Sequence, residues 1–244
     1  MRTLFIILIF VFAIVTIATH AVELEIPEND GVQVYEYLGF TLLYNEEHEQ
    51  AEWVAYYLEP AELNGPWKRK NNFRVDPSII TSSAHPDDYR RTGYDRGHLA
   101  PAGDMSWAEQ AMNESFFMSN MSPQDPQFNR IAWRNLEALV RNWAEKYNGL
   151  YIVTGPILTD GPYESIGENK VSIPKYYYKV LLAYDGDEAK MIAFLMPNEK
   201  CEAPLFSYVV TVDTIEYITG IDFFYLLEDI EEENLERQAQ YFIW

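Results

Sequence analysis

Cysteine is almost absent from this 244-residue sequence, which contains it only at Cys201. A disulfide within the chain is therefore excluded, and stability has to come from a hydrophobic core, which this length and a hydrophobic content of 48% allow. Histidine is scarce too, with four residues. The sequence has no H-E-x-x-H segment, no paired-cysteine zinc motif, no G-x-S-x-G elbow and no P-loop, so the commonest zinc-hydrolase, serine-hydrolase and nucleotide-binding patterns are excluded.

Basic residues are also few, and 18 of them stand against 38 acidic residues, which gives a formal net charge of −20. Taken alone, this charge argues against a nucleic-acid partner. However, 11 of the 18 basic residues lie within residues 66–146 together with ten acidic ones, so the central third is nearly neutral. The acidic excess lies elsewhere, notably in "LEDIEEENLERQ" (residues 227–238), which we interpret as a solvated face or tail.

A long hydrophobic run occurs only at the N-terminus. Residues 1–21 combine Arg2, an apolar run over residues 4–17 and small residues before Ala21, which is typical of a signal peptide cleaved after Ala21. We therefore expect residues 22–244 to form a single domain in a secreted or periplasmic protein. A retained membrane anchor and an organellar destination are the alternatives, although the run is short for a membrane span.

The remaining sequence mixes strand and helix patterns without regular βαβ alternation, which predicts an α+β fold with an antiparallel sheet. The helix predicted over residues 129–147 carries an apolar stripe, and a shorter helix is predicted within "SWAEQAMNESFF" with a capping box from Ser106 to Glu109. The predicted strands are "VQVYEYLGFTLLYNEE" and "AEWVAYYLEP", joined as a hairpin, and "LYIVTGPIL", "VSIPKYYYKVLLAY" and "AKMIAFLMPNE".

One histidine stands out for acid–base chemistry. His48 and His85 lie in polar turns and are predicted to be solvated, whereas His98 lies in the strand-like part of "YDRGHLAPAGDM" (residues 94–105). A partly buried imidazole beside Asp95 and Arg96 is a candidate general base. A structural turn with an Asp–Arg pair is the alternative, and the residues alone leave both open.

The predicted long helix presents a second group of polar residues. Arg130, Arg134, Glu137 and Arg141 fall in one band of its surface, with Asn129 at its start. Spacing alone favours ion pairs among Arg134, Glu137 and Arg141 on a solvated face. The alternative is an anion site, since three arginines around one carboxylate leave excess positive charge for a phosphodiester. With so few histidines, a metal here would need oxygen ligands, which suits Mg²⁺.

These motifs together resemble the DNA/RNA non-specific endonuclease family. The resemblance rests on "YDRGHLAPAGDM" followed by "FFMSNMSPQDPQFNRIAWRNLE", with D-R-G-H, S-N, F-N and N-L-E in order, and it extends through "NNFRVDPSI", "IVTGPI", "IPKYYYKVLL", "AFLMPNE" and "TIEYITGIDFF". It covers nearly all of residues 22–244. It implies a ββα-metal (His-Me finger) nuclease fold, with a central antiparallel sheet flanked by helices.

The resemblance also implies roles around a single metal ion. His98 would be the general base that activates water, and Asn120 would orient it. Asn129 would be the direct ligand of Mg²⁺, which Mn²⁺ or another divalent cation could replace. Glu137 would hold the waters of the ion, and Asp95 would help to organise the hydrated site.

Arginines would complete the implied site. Arg96 and Arg141 would stabilise charge on the phosphate, with help from Arg69 or Arg74, between which the sequence does not decide. We assign Arg130 and Arg134 to substrate binding as well.

The predicted function is thus secreted, Mg²⁺-dependent hydrolysis of DNA and RNA phosphodiester bonds with little sequence specificity. The alternative is a catalytically silent nucleic-acid-binding module of the same fold. A homodimer is an alternative to a monomer, and DNA and RNA are the expected partners.

Overall fold

A computed structural model describes residues 24–29, 31–184, 188–239 and 241–244. The predicted signal peptide lies outside these residues. Within the described ranges, no helix combines the length and the apolar character needed to cross a bilayer.

A large antiparallel sheet is the centre of the fold. In the described part of the chain seven strands form this sheet in the order β1-β2-β3-β6-β9-β10-β11, while β4 pairs with β5 and β7 with β8 in two small antiparallel ribbons. The strands are β1 (Tyr35–Glu36), β2 (Thr41–Asn45), β3 (Gln50–Leu58), β4 (Asp95–His98), β5 (Met121–Gln124), β6 (Leu150–Pro156), β7 (Ser165–Ile166), β8 (Val171–Ser172), β9 (Tyr176–Tyr184), β10 (Ala189–Pro197) and β11 (Val209–Val210).

Helices cover both faces of the sheet. The α-helices in the described ranges are α1 (Glu109–Glu114), α2 (Arg134–Lys146), α3 (Val212–Thr219) and α4 (Asp229–Glu236), and a π-helical turn (Phe128–Trp133) leads directly into α2. Successive residues of a strand point to opposite faces, so Ile152 packs in the core beneath α2 whereas Val153 packs in the core beneath α3. The predicted α+β architecture is confirmed.

The long helix forms where its apolar stripe predicts it. Trp133, Leu136, Val140 and Trp143 are buried against the sheet. The helix ends at Lys146, and Gly149, with φ of 134°, then turns the chain into β6. A Cβ at residue 149 would overlap the Tyr57 ring, so glycine is required there for space as well as for conformation.

Two local predictions are wrong. The helix α1 begins at Glu109 after Ala108, because the Ser106 hydroxyl instead accepts a hydrogen bond from the Gly65 amide (3.0 Å). His48 is partly buried, with Nδ1 2.9 Å from the Ser172 hydroxyl, since the strand β8 packs beside its turn.

The acidic segment 227–238 has the solvated face that was predicted, with Glu228, Asp229 and Glu233 exposed, but it is not a tail. It forms the helix α4, which packs on β10 and α3 rather than lying free in solvent. One of its acidic side chains, Glu236, is buried.

Candidate active site

A cleft of about 430 Å³ lies between the β4–β5 ribbon and the helix α2. The strand β4, the π-helical turn with α2, and loop residues on both sides of β4 supply its walls. Predicted site residues that line it are Arg69, Asp95, Arg96, His98, Asn129, Arg130, Arg134, Glu137 and Arg141. Asn120 and Arg74, which were also predicted, lie outside this lining.

His98 lies at the end of β4, where its ring packs against aromatic side chains at the wall of the cleft. Its residue exposure is 6%, and its ring packs edge-on against Phe116, with ring centroids 5.0 Å apart. Burial, followed by the positive charge of Arg69, lowers the pKa of His98 to about 3, so the imidazole is neutral at physiological pH. Its Nε2 atom is buried and has no hydrogen-bond partner among the described residues.

The backbone around His98 explains why glycine precedes it. A Cβ at Gly97 would overlap the side chain of Gln124, a residue of the partner strand β5. Trp133 Nε1 lies 3.4 Å from the carbonyl oxygen of His98, to which it donates. The strand bearing the histidine is thus fixed to its partner strand and to the helical turn.

Asn120 acts on the chain that follows His98 rather than on the imidazole. Its Oδ1 accepts from the Ala100 amide, and its Nδ2 donates to the carbonyl oxygens of Ala100 and Ser115, each at 2.9 Å. Asn120 is fully buried, and no hydrogen bond joins it to the His98 ring. Any orienting effect on His98 therefore passes through the backbone.

The helical turn brings Asn129 against β4. Asn129 Nδ2 donates to Asp95 Oδ2 (3.0 Å), which orients the amide and leaves its carbonyl oxygen without a protein donor among the described residues. Arg130 donates to both oxygens of the same Asp95 carboxylate, at 2.7 and 2.6 Å. Asp95 is therefore a bridge between strand and helix.

The ion pairs favoured by helix spacing are not formed. Arg141 Nη1 instead donates to Asp104 Oδ1 (2.8 Å), and the Tyr56 hydroxyl donates to the other oxygen of Asp104 (2.8 Å). Asp104 is 1% exposed, so a buried carboxylate competes better for Arg141 than a neighbour on the same helix does. Neither Arg134 nor Glu137 has an ion pair among the described residues.

Glu137 is partly buried in the cleft. Desolvation raises its pKa, and the negative charge of Asp104 raises it further. The positive charge of Lys179 opposes this shift. Lys179 is 1% exposed, donates to the Thr154 hydroxyl and lies 5.1 Å above the Trp133 ring centroid, so it is a buried cation behind the carboxylate.

The loop before β4 supplies one arginine to the cleft. Arg69 lines the cleft, and its guanidinium carbon lies 5.1 Å from the centroid of the Phe116 ring, which His98 also contacts. Arg74 points away, with its Nη1 donating to the carbonyl oxygens of Asn72 and Asn113. Arg96 lines the cleft and donates to the carbonyl oxygen of Pro86 (2.6 Å).

Similarity to known proteins shows the family of this chain. A family model described as DNA/RNA non-specific endonuclease matches residues 18–229. The chain belongs to this family. Among curated relatives, the mitochondrial nuclease EXOG of Danio rerio is 36% identical over 226 residues, covering 86% of this chain and 66% of the relative.

Two further relatives broaden the comparison. Mitochondrial endonuclease G of Homo sapiens is 35% identical over 199 residues (76% of this chain and 67% of the relative), and nuclease C1 of Cunninghamella echinulata var. echinulata is 33% identical over 204 residues (76% and 80%). The chain spans about two thirds of the length of these two mitochondrial nucleases.

A solved structure of the EndoG/EndoGI complex, which concerns the mechanism of EndoG inhibition, is similar to this chain with a TM-score of 0.74. The sequence identity is 34%, and the match covers 80% of this chain and 86% of that one. The predicted ββα-metal nuclease fold is confirmed, with β4, β5 and α2 as its strands and helix.

Two buried charges beside the cleft were missed from the sequence. Asp104 lies within the motif that directed attention to His98, in the apolar context P-A-G-D-M, and Lys179 interrupts the apolar strand Y-Y-Y-K-V-L-L. A single charge in an apolar segment is a signal of a buried, paired group. Its partner cannot be read from the sequence, because Asp104 and Arg141 are 37 residues apart.

Proposed function

We propose that the chain is a metal-dependent endonuclease that hydrolyses phosphodiester bonds of DNA and RNA with little sequence preference. The observation that carries the proposal is the buried, unpartnered Nε2 of His98 in an arginine-lined cleft. A buried polar atom without a partner is costly in a stable fold, so its presence favours a functional role. The family membership supports the same reaction class.

The residues of the cleft fit a hard divalent cation. The free carbonyl oxygen of Asn129 would be the direct ligand and the carboxylate of Glu137 would hold waters of the ion, and both side chains line the cleft. Among the described residues, no trio of His, Cys, Asp or Glu side chains converges there, so water would fill most of the coordination shell. This is the shell that Mg²⁺ prefers, and Mn²⁺ is a close substitute.

His98 would act as the general base. Its unpartnered Nε2 would accept a proton from a water molecule whose oxygen attacks phosphorus, as the bond from phosphorus to the leaving sugar oxygen breaks. Asn129 and Glu137 would hold the ion, which when bound supplies positive charge to the phosphate and the leaving oxygen. Solvent water would protonate the leaving oxygen.

The arginines would bind the substrate through its backbone. Five arginines and two carboxylates are among the side chains that line the cleft, so the cleft is locally positive although the chain is strongly acidic. Arg141, held by Asp104, and Arg96 would stabilise negative charge on the phosphate. Contacts with phosphate carry no sequence information, which accounts for a lack of base preference.

The direct test is to incubate the purified protein with supercoiled plasmid and with RNA, with Mg²⁺ or Mn²⁺ and with EDTA. We expect cleavage of both substrates that EDTA abolishes. Binding without cleavage in either metal would replace this proposal by the silent binding module.

Two substitutions distinguish the loss of the general base from the loss of the metal ligand. His98→Ala should abolish cleavage while circular dichroism and Mn²⁺ affinity stay near those of the parent chain. Asn129→Ala should weaken Mn²⁺ binding, measured by electron paramagnetic resonance. His85→Ala is the matched control for histidine loss, since His85 is exposed and lies outside the cleft. Cleavage by His98→Ala would assign the base to another group.

We also propose that residues 1–21 are removed as a signal peptide from an exported protein. The leader has the polarity pattern of such a peptide. The animal relatives carry mitochondrial names, which favours the organellar alternative. N-terminal sequencing of the mature chain together with fractionation decides between them.

A further inference from the structure

Carboxylates converge at a second place in the fold, between α3, the segment after it and α4. Single carboxylate oxygens of Asp213, Glu216 and Glu236 lie within 4.8 Å of one another, and so do those of Asp222, Glu232 and Glu236. Glu236 belongs to both trios and joins them. None of the five side chains lines the catalytic cleft.

The buried Glu236 is the observation that points to a ligand there. Its residue exposure is 7%, and its Oε1 is buried with no hydrogen-bond partner among the described residues. The other side of the carboxylate contacts Glu216. Glu232 Oε1 is likewise buried and unpartnered. Buried carboxylates that contact one another and have oxygens without a hydrogen-bond partner require either protons or a cation between them.

Nearby basic residues do not supply that cation. No Lys, Arg or His of the described ranges forms an ion pair with any of the five carboxylates. Arg237, next to Glu236 in sequence, pairs with the exposed Glu233 instead (3.1 Å). Glu216 does accept a hydrogen bond from the Phe223 amide (3.0 Å), which fixes one of its oxygens in place.

The chemistry of the donors selects the kind of ion. The side chains of both trios are carboxylates, which are hard oxygen donors, and no nitrogen or sulfur donor is among them, so a soft transition metal is disfavoured. Ca²⁺ takes six to eight oxygen ligands in irregular geometry, whereas Mg²⁺ requires a small octahedron and keeps its waters. A crowded group with several carboxylates fits the larger ion.

We propose that Asp213, Glu216, Asp222, Glu232 and Glu236 form a Ca²⁺ site that fixes α4 to α3. The site is structural and is independent of the nuclease reaction, because its residues belong to the opposite face of the sheet from α2. The Ca²⁺ ion neutralises the buried carboxylates, and it accounts for a highly acidic helix that packs on the fold.

The test uses the full mature chain carrying Asn129→Ala, so that binding in the catalytic cleft is weakened. After chelation and desalting at pH 8, Ca²⁺ or Mg²⁺ is titrated by calorimetry, and Tm is followed by differential scanning fluorimetry at constant ionic strength. We expect one Ca²⁺ per chain, an increase of Tm with Ca²⁺ and a smaller increase with Mg²⁺.

Substitutions then locate the binding. Glu236→Gln should weaken Ca²⁺ affinity by about tenfold or more, and Glu233→Gln, the matched control on the same helix, should keep it within about twofold. The exposed Asp222→Asn is the second variant if Glu236→Gln fails to fold. Equal Ca²⁺ affinity in the cluster and control variants overturns the proposal. So does a wild-type Tm that does not respond to Ca²⁺, since the carboxylates would then share protons.

Discussion

Replacing Asp104 by asparagine tests the network that holds Arg141 in the cleft. Asparagine keeps the shape of the side chain but turns an NH₂ group toward one of the two donors, Arg141 or Tyr56. Loss of a hydrogen bond to a charged group costs about 1.5–3 kcal/mol, and a stranded buried donor costs about 1–3 kcal/mol. Water reaches Arg141, whose side chain is 29% exposed, so we expect a net loss of about 2–4 kcal/mol.

Thermal unfolding measures this loss. For a chain of this size each kcal/mol lowers Tm by about 2–4 °C, so Asp104→Asn should lower it by about 5–15 °C. Asp87→Asn is the matched control, because Asp87 is exposed and pairs with the exposed Arg90 at 2.6 Å. Exposed pairs contribute less than about 1 kcal/mol.

The same variant has a second, independent consequence. The negative charge of Asp104 raises the pKa of Glu137, so removing it lowers that pKa. If ionised Glu137 is needed for activity, the acid limb of the pH–rate profile on plasmid moves to lower pH, while the maximal rate falls because Arg141 is less well oriented. A Tm unchanged within 1 °C, or an acid limb that moves to higher pH, would refute this reasoning.

The remaining predictions concern the strand, the base and the loop. Gly97→Ala should lower the free energy of unfolding by about 1–3 kcal/mol, because its Cβ displaces Gln124; an unchanged denaturant midpoint would contradict the packing. His98 should stay neutral in NMR titrations from pH 8 to 4. Because the unfolded chain binds a proton near pH 6.5 and the folded His98 only near pH 3, stability should fall as pH decreases through this window, and less so in His98→Asn. Arg69→Ala should weaken DNA binding and reduce its salt dependence by about one counterion, whereas Arg74→Ala should leave both unchanged.

The sequence predicted the parts of this fold that depend on local pattern. The stripe from Trp133 to Trp143 predicted α2, and apolar runs between Gly, Pro and Asp turns predicted β9 and β10. The pattern could not show that Ser106 would be used by the Gly65 amide, because that partner comes from a distant loop.

The candidate site could likewise be predicted only in part. Its components could be chosen by residue type and resemblance, but the pairing of Arg141 depends on where the chain places Asp104, and helix spacing wrongly favoured Glu137. The burial of Glu236 was missed for a similar reason, since a run of acidic residues is usually solvated and only packing against α3 shows otherwise.

The π-helical turn at Phe128–Trp133 determines the direction in which Asn129 points relative to Glu137. In a continuous α-helix, residues eight positions apart, such as Asn129 and Glu137, point about 80° away from each other. A π-helical turn closes its hydrogen bonds over five residues instead of four, so each residue advances by a smaller rotation and the two side chains are brought toward one direction. Converting this turn to a regular α-helix without deleting a residue would rotate the amide about 80° away from the carboxylate, although every side chain would be unaltered.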